Sequence, residues 1–164
     1  MVTYWCTPCA EDAARYTSVI KALALAQGAP TYQAHLTLGT LERAASDLSE
    51  VTAALRGLVL EPTGISETDI FTKSLFVQFE ASTPLVAARS QLEKLPGFRP
   101  GRAFDPHISL CYGAPPEGSA AQRDVQDLLS APVRFDRLVA VNITLPIESY
   151  ADVMAWSVEG TYEI

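Results

Sequence analysis

A chain of 164 residues, 48% hydrophobic and 19% charged, has apolar material for one domain with a real core and too little length for two ordinary ones. Its 12 Lys and Arg against 19 Asp and Glu leave a net charge of −7, which argues against nonspecific binding to long nucleic acid, a process that needs a basic surface. Its 9 Gly and 11 Pro are spread along the chain, which excludes collagen-like and low-complexity classes.

No run approaches the roughly 18 apolar residues of a membrane span. The opening Met-Val-Thr-Tyr-Trp-Cys lacks the basic and apolar regions of a signal peptide. Three cysteines are too few for a disulfide framework. The expectation is a cytoplasmic, monomeric protein with reduced thiols and no membrane partner.

In chain order, residues 2–8 are rich in β-formers and read as a strand. Residues 11–27 read as a helix, with Glu11 and Asp12 at its start, Tyr16, Val19, Ile20 and Leu23 on one face, and Gly28 at its end. A strand is expected at 32–39. A helix is expected at 41–55, where Leu41, Ala44, Leu48, Val51 and Leu55 recur at helical spacing. Strands near 57–61 and 70–79 follow, separated by Pro62-Thr63-Gly64. Thr83 as cap and Pro84 as the first helical residue open a helix to about Leu95, broken by Pro96-Gly97. A strand is expected at 104–113. Ser119 and Gln122 resemble a capping box for a helix to about Ser130, and strands near 133–145 and 152–163 close the chain.

The order helix, strand, helix, strand, strand thus occurs twice. The fold class expected is α+β: a bilobal, pseudo-duplicated single domain over 1–164, with two antiparallel sheets lining a central cleft and helices outside.

The two histidines, 72 residues apart, each open the same tetrapeptide: His35-Leu36-Thr37-Leu38 and His107-Ile108-Ser109-Leu110. Alternate strand residues share a face. His35 therefore sides with Thr37, and His107 with Ser109, while the apolar residues between them anchor the other face. Two such strands across a pseudo-twofold would line a groove with two imidazoles and two hydroxyls. Phosphodiester hydrolysis needs one proton taken from water and one given to the leaving oxygen. A neutral and a protonated histidine can do both near neutral pH. Thr37 and Ser109 would hold the nonbridging oxygens. The scheme requires no metal and no cofactor, and two histidines without a carboxylate cluster or Cys spacing make a thin metal site.

These paired motifs resemble the signature of the two-histidine (2H) phosphoesterase superfamily. The closest likeness is to its cyclic nucleotide phosphodiesterase branch, through Phe104-Asp105-Pro106-His107-Ile108-Ser109-Leu110-Cys111-Tyr112-Gly113 and the aromatic opening strand Tyr4-Trp5-Cys6-Thr7-Pro8. One departure is Ala34, where that branch often has proline. The resemblance implies a two-lobed α+β fold around a water-filled cleft. It also implies metal-independent hydrolysis of ribose cyclic phosphates: a nucleoside 2′,3′-cyclic phosphate to the 2′-phosphate, or ADP-ribose 1″,2″-cyclic phosphate to the 1″-phosphate. The partner expected is a small phosphorylated nucleotide. His35 and His107 are the catalytic pair; Thr37, Ser109, Tyr112 and Trp5 are substrate-binding candidates. The alternatives are an RNA-end or cyclic-oligonucleotide phosphoesterase of the same superfamily and a nucleotide-binding module without catalysis.

Strand alternation turns Tyr112 away from the histidine face unless a bulge redirects it, and places Cys111 beside Ser109 in the cleft. Trp5 could stack on a base. Cys6-Thr7-Pro8-Cys9 has redox or zinc spacing but no second Cys pair. Lys73, Arg99 and Arg102 could add positive potential near a phosphate.

Overall fold

The computed structural model describes residues 1–101, 103–115 and 121–164. The first strand, β1 (Val2–Pro8), is buried along its whole length. Helix α1 (Ala10–Gln27) buries Tyr16, Val19, Ile20, Leu23 and Ala24, spaced by three and four residues as one helix face requires. Gly28 ends it at φ 65°, a left-handed conformation that favours glycine.

Strand β2 (Leu36–Leu41) begins one residue after the first histidine. Helix α2 (Ser49–Leu55) is much shorter than the helix expected from Leu41. Leu41 stays in β2, paired with Val2, and Leu41 and Leu48 are buried without being helical. Three short strands follow where two were expected: β3 (Val59–Leu60), β4 (Pro62–Glu67) and β5 (Leu75–Phe79), with a 3-10 turn at Phe71–Lys73 before β5. Pro62-Thr63-Gly64 does not break the chain but opens β4. That strand ends the sheet, where a missing backbone N–H is tolerated.

Helix α3 (Thr83–Glu93) carries Pro84 in its first turn, as expected, and buries Leu85, Ala88 and Leu92; its capping residue is Ser82 rather than Thr83. The second histidine opens β6 (His107–Cys111). Helix α4 (Ala121–Asp127), β7 (Val133–Asn142), α5 (Tyr150–Met154) and β8 (Ser157–Glu163) complete the chain. The strand expected from 152 starts as α5 instead, because Ser149 and Asp152 form a capping box there. Ser119 of the expected cap, and Arg102, lie outside the described residues. Among those described, no helix is long and apolar enough to cross a membrane.

The protein is α+β, and its described residues form one eight-stranded antiparallel sheet in the order β3-β7-β1-β2-β6-β5-β4, with β8 also paired to β7. Where two sheets were expected, the histidine strands β2 and β6 are neighbours in one sheet. They are tied at a single residue pair, Leu36 with Ile108. Both side chains are completely buried, and burial of that kind stabilises by about 1.5–3 kcal/mol each. It also fixes register, since a slip of one residue would turn the leucine and isoleucine out and the histidines in.

About that pair the two halves correspond. Helix α1 precedes β2 but packs on β6, and α3 precedes β6 but packs on β2; α2 lies on α3, and α4 on α1. Strand β1 pairs with β2, setting Trp5 opposite Thr37. Strand β5 pairs with β6, setting Phe76 opposite Ser109. Both pairings contain a bulge at the same place, leaving Leu38 of β2 and Leu110 of β6 as the extra residue.

Candidate active site

The pairing of Leu36 with Ile108 sets His35 opposite Ser109 and Thr37 opposite His107. All four side chains leave the face that Leu36 and Ile108 do not occupy. The histidines are diagonal neighbours, a relation that in a regular antiparallel pair spans about 7–8 Å. All four line one cavity of about 250 Å³, together with Trp5, Tyr112 and Trp156. Thr3, Thr40 and Thr72 add hydroxyls, and Ile143, Leu145 and Ile147 form an apolar wall.

Both imidazoles are held by the same local device. His35 Nδ1 lies 2.6 Å from the carbonyl of Gln33, and His107 Nδ1 lies 2.7 Å from the carbonyl of Asp105, two residues upstream in each case. A carbonyl only accepts, so Nδ1 donates and carries the hydrogen. In the neutral ring, Nε2 is then the nitrogen with the free lone pair. That arrangement readies Nε2 to take a proton, or to give one once charged.

The surroundings of the two rings differ. His35 is 7% exposed and stacks on Trp5 with centroids 3.8 Å apart and planes at 15°. Trp156 and Tyr32 meet it edge-on. Burial pushes its pKa down to about 4; the bond to Gln33 opposes this, and the neighbouring His107 adds to it. His107 is half-buried, with the edge of Phe76 5.2 Å away. Its pKa is lowered by burial and by Lys73, against the carbonyl and carboxylate of Asp105, which favour the charged form. Asp105 in turn bonds Lys73 and Gln78, which hold its carboxyl below the usual range despite partial burial.

The bulge at Leu110 decides the fate of two expected residues. It reverses the alternation after Ser109, so Cys111 leaves the histidine face and Tyr112 returns to it. Tyr112 therefore lines the cavity, stacked on Tyr32 at 4.1 Å. Cys111 does not; its Sγ points to the Gln27 side chain, 3.1 Å away. The equivalent bulge at Leu38 brings Thr40 to the cavity in the same way. Motif reading passes over Thr40, although its offset from His35 equals that of Tyr112 from His107. The apolar wall and Trp156 come from distant sequence and carry no motif.

Of the hydroxyls, Thr37 is exposed, while Ser109 Oγ donates to the Thr72 carbonyl at 2.7 Å. Rotating that hydroxyl would exchange the carbonyl for a ligand oxygen. Trp5 is buried and covers His35, so a base could not stack on the face it gives to the imidazole. Lys73 lies over the Phe76 ring and pairs with Asp105, and Arg99 pairs with Glu42 at 3.3 Å; both line an adjoining groove rather than the cavity itself. All three cysteines are free thiols. Cys6 is buried in β1, which pushes its pKa up to about 12, and Cys9 Sγ contacts Asp12 at 3.4 Å. Among the described residues, no three His, Cys, Asp or Glu side chains come together as a metal-binding group.

A scan of the chain against protein-family models finds no match, and a search of curated proteins finds none either.

Proposed function

We propose that the protein hydrolyses a ribose cyclic phosphate by two-histidine acid–base catalysis, in the manner of the 2H phosphoesterases its motifs resemble. The observation that carries the reading is the matched histidine pair. Both rings have Nδ1 tied to the carbonyl two residues upstream, and both line one cavity with Thr37 and Ser109.

In this reading His35 is the base. Its burial keeps the ring neutral, and Nε2 takes a proton from water as the water oxygen attacks phosphorus. His107 is the acid. Asp105 favours its charged form, and Nε2–H protonates the ribose oxygen as the P–O bond breaks. For a 2′,3′-cyclic phosphate, loss of the 3′ oxygen from phosphorus leaves the 2′-phosphate. The anionic phosphate raises the affinity of both rings for protons when it binds. Thr37, Ser109 and Tyr112 donate to the nonbridging oxygens, where charge must be held. The apolar wall of Ile143, Leu145 and Ile147 suits a nucleobase.

The correspondences about Leu36 and Ile108 support a two-lobed unit built by duplication, with one histidine motif from each copy.

Phosphorus NMR of the purified protein with a nucleoside 2′,3′-cyclic phosphate in EDTA tests the reading. Conversion of the cyclic signal to a phosphomonoester is expected. A signal that persists in the presence of bound nucleotide would overturn the reading in favour of a binding module. Marked preference for an oligonucleotide end would move it to the RNA-end class.

A further inference from the structure

We infer that the groove beside the histidine cavity is a second anion subsite, so that the substrate carries another phosphate beyond the one that reacts. The inference rests on the proposed place of the reacting phosphate between His35 and His107.

Size gives the first reason. Pockets for drug-sized ligands usually measure about 300–1,000 Å³. The cavity holding the histidines is about 250 Å³, small for an entire nucleotide. The adjoining groove is about 790 Å³ and shares Thr37, Thr40, Thr72 and His107 with the cavity. Whatever places its phosphorus at the histidines extends along that groove.

Charge gives the second. The whole chain has fewer cations than carboxylates, 12 against 19. Among the described residues, the lining of the groove carries Lys73, Arg89 and Arg99 and one carboxylate, Asp105; Glu93 and Glu42, which pair with the two arginines, lie outside that lining. A cation-lined concavity on an acidic protein concentrates small anions while the bulk of the surface repels large ones.

Arg89 is the third. Its guanidinium is fixed in place: Nε donates to Glu93 at 2.7 Å and one terminal nitrogen to the Leu38 carbonyl at 2.5 Å, and the rings of Phe98 and Phe104 flank it at 4.7 and 5.2 Å. A guanidinium has five N–H donors. The described residues engage two, which leaves three in a held orientation at the groove. Rigid, planar donors of this kind suit a phosphate group. The Leu38 carbonyl that holds Arg89 belongs to the bulge residue of the first histidine strand, which ties the subsite to the catalytic one. The exposed Arg99 can reach a bound anion by exchanging its surface pairing with Glu42, a contact worth little.

The ligand class is a nucleotide with a second phosphoryl group, whether a 5′-phosphate, a pyrophosphate or the next phosphodiester. Calorimetric titration of the full chain with adenosine 2′,5′-bisphosphate and adenosine 2′-phosphate tests it. The bisphosphate should bind about tenfold tighter, the gain of one or two charge-assisted contacts. Arg99→Glu should bring the ratio of the two affinities to about one, and Glu42→Gln should raise it by up to about threefold. Equal affinities in the unaltered protein, a ratio that survives Arg99→Glu, a ratio that falls in Glu42→Gln, or no binding of either probe would overturn the subsite. The titration needs no turnover. Failure to hydrolyse cyclic phosphates with the ratio present would remove the hydrolase reading and leave the subsite; hydrolysis with a ratio of one would do the reverse. Turnover of an ADP-ribose cyclic phosphate against a 5′-phosphorylated cyclic dinucleotide end then separates a pyrophosphate from a phosphodiester source.

Discussion

His35 lies face to face with Trp5, with Trp156 and Tyr32 edge-on, whereas His107 meets the edge of Phe76 and has Lys73 and Asp105 beside it. Backbone geometry treats the two alike: the same carbonyl two residues upstream, the same buried neighbour one residue on, the same bulge three residues on. Their difference is therefore one of environment alone. An apolar aromatic wrapping disfavours a charged ring, and a carboxylate nearby favours it. Burial disfavours the charge on both rings, and at His107 the Asp105 carbonyl and carboxylate oppose it; the proposed acid and base roles draw on that asymmetry.

The largest effects should come from removing either ring. His35→Ala and His107→Ala are each expected to lower kcat by about 10²–10⁴ in the phosphorus NMR assay. Retention of most activity in either variant would break the paired roles.

Next is the response to pH. His35 has a pKa near 4 in the folded chain, against an ordinary value of 6.5. As pH falls through that window the unfolded chain binds the proton first. Stability from this group is then lost between about pH 6.5 and 4, on the order of 3 kcal/mol. Urea midpoints at pH 7 and pH 4.5 should show the loss, and His35→Gln should flatten it. For the reaction, kcat/KM should rise with pH through the base near 4 and fall through the acid His107 below 6.5, giving an acidic optimum.

Changes around the rings sharpen the contrast. Trp5→Leu opens His35 to solvent, so the acid limb of the kcat/KM profile should move up toward pH 6.5. Phe76→Leu, beside the less enclosed His107, should move the opposite limb by less. A smaller effect is expected from Gly39→Ala, where a new Cβ would lie 2.8 Å from Leu92 and 2.9 Å from Arg89. Thermal unfolding should report a cost of about 1–3 kcal/mol.

Much of this candidate site is legible in the sequence. The spacing of His35 with Thr37, and of His107 with Ser109, followed from the two-residue period of a strand, and the four side chains do share a cavity. The period failed at Tyr112 and Cys111 because a bulge depends on the partner strand, and no residue type in Leu110 or Leu38 marks one. Helix α1 was legible because its face is uninterrupted and Gly28 ends it. Helix α2 was overextended because Leu41 and Leu48 are apolar for reasons of burial in strand and loop. Helix α5 escapes a sequence reading because it is only five residues long and the strand β8 follows it closely. Arg89 shows no local signal at all; its role in the groove depends on Phe98, Phe104 and Leu38 arriving from elsewhere.

The crossed helices have a consequence for how the molecule could be taken apart. Helix α1 forms the floor beneath the second histidine strand and α3 the floor beneath the first, while a single residue pair stitches those strands together. Each half of the chain thus depends on the other for a foundation. Severed at the midpoint, neither fragment would own a complete hydrophobic base, and the two would have to reassociate before either imidazole found its seat.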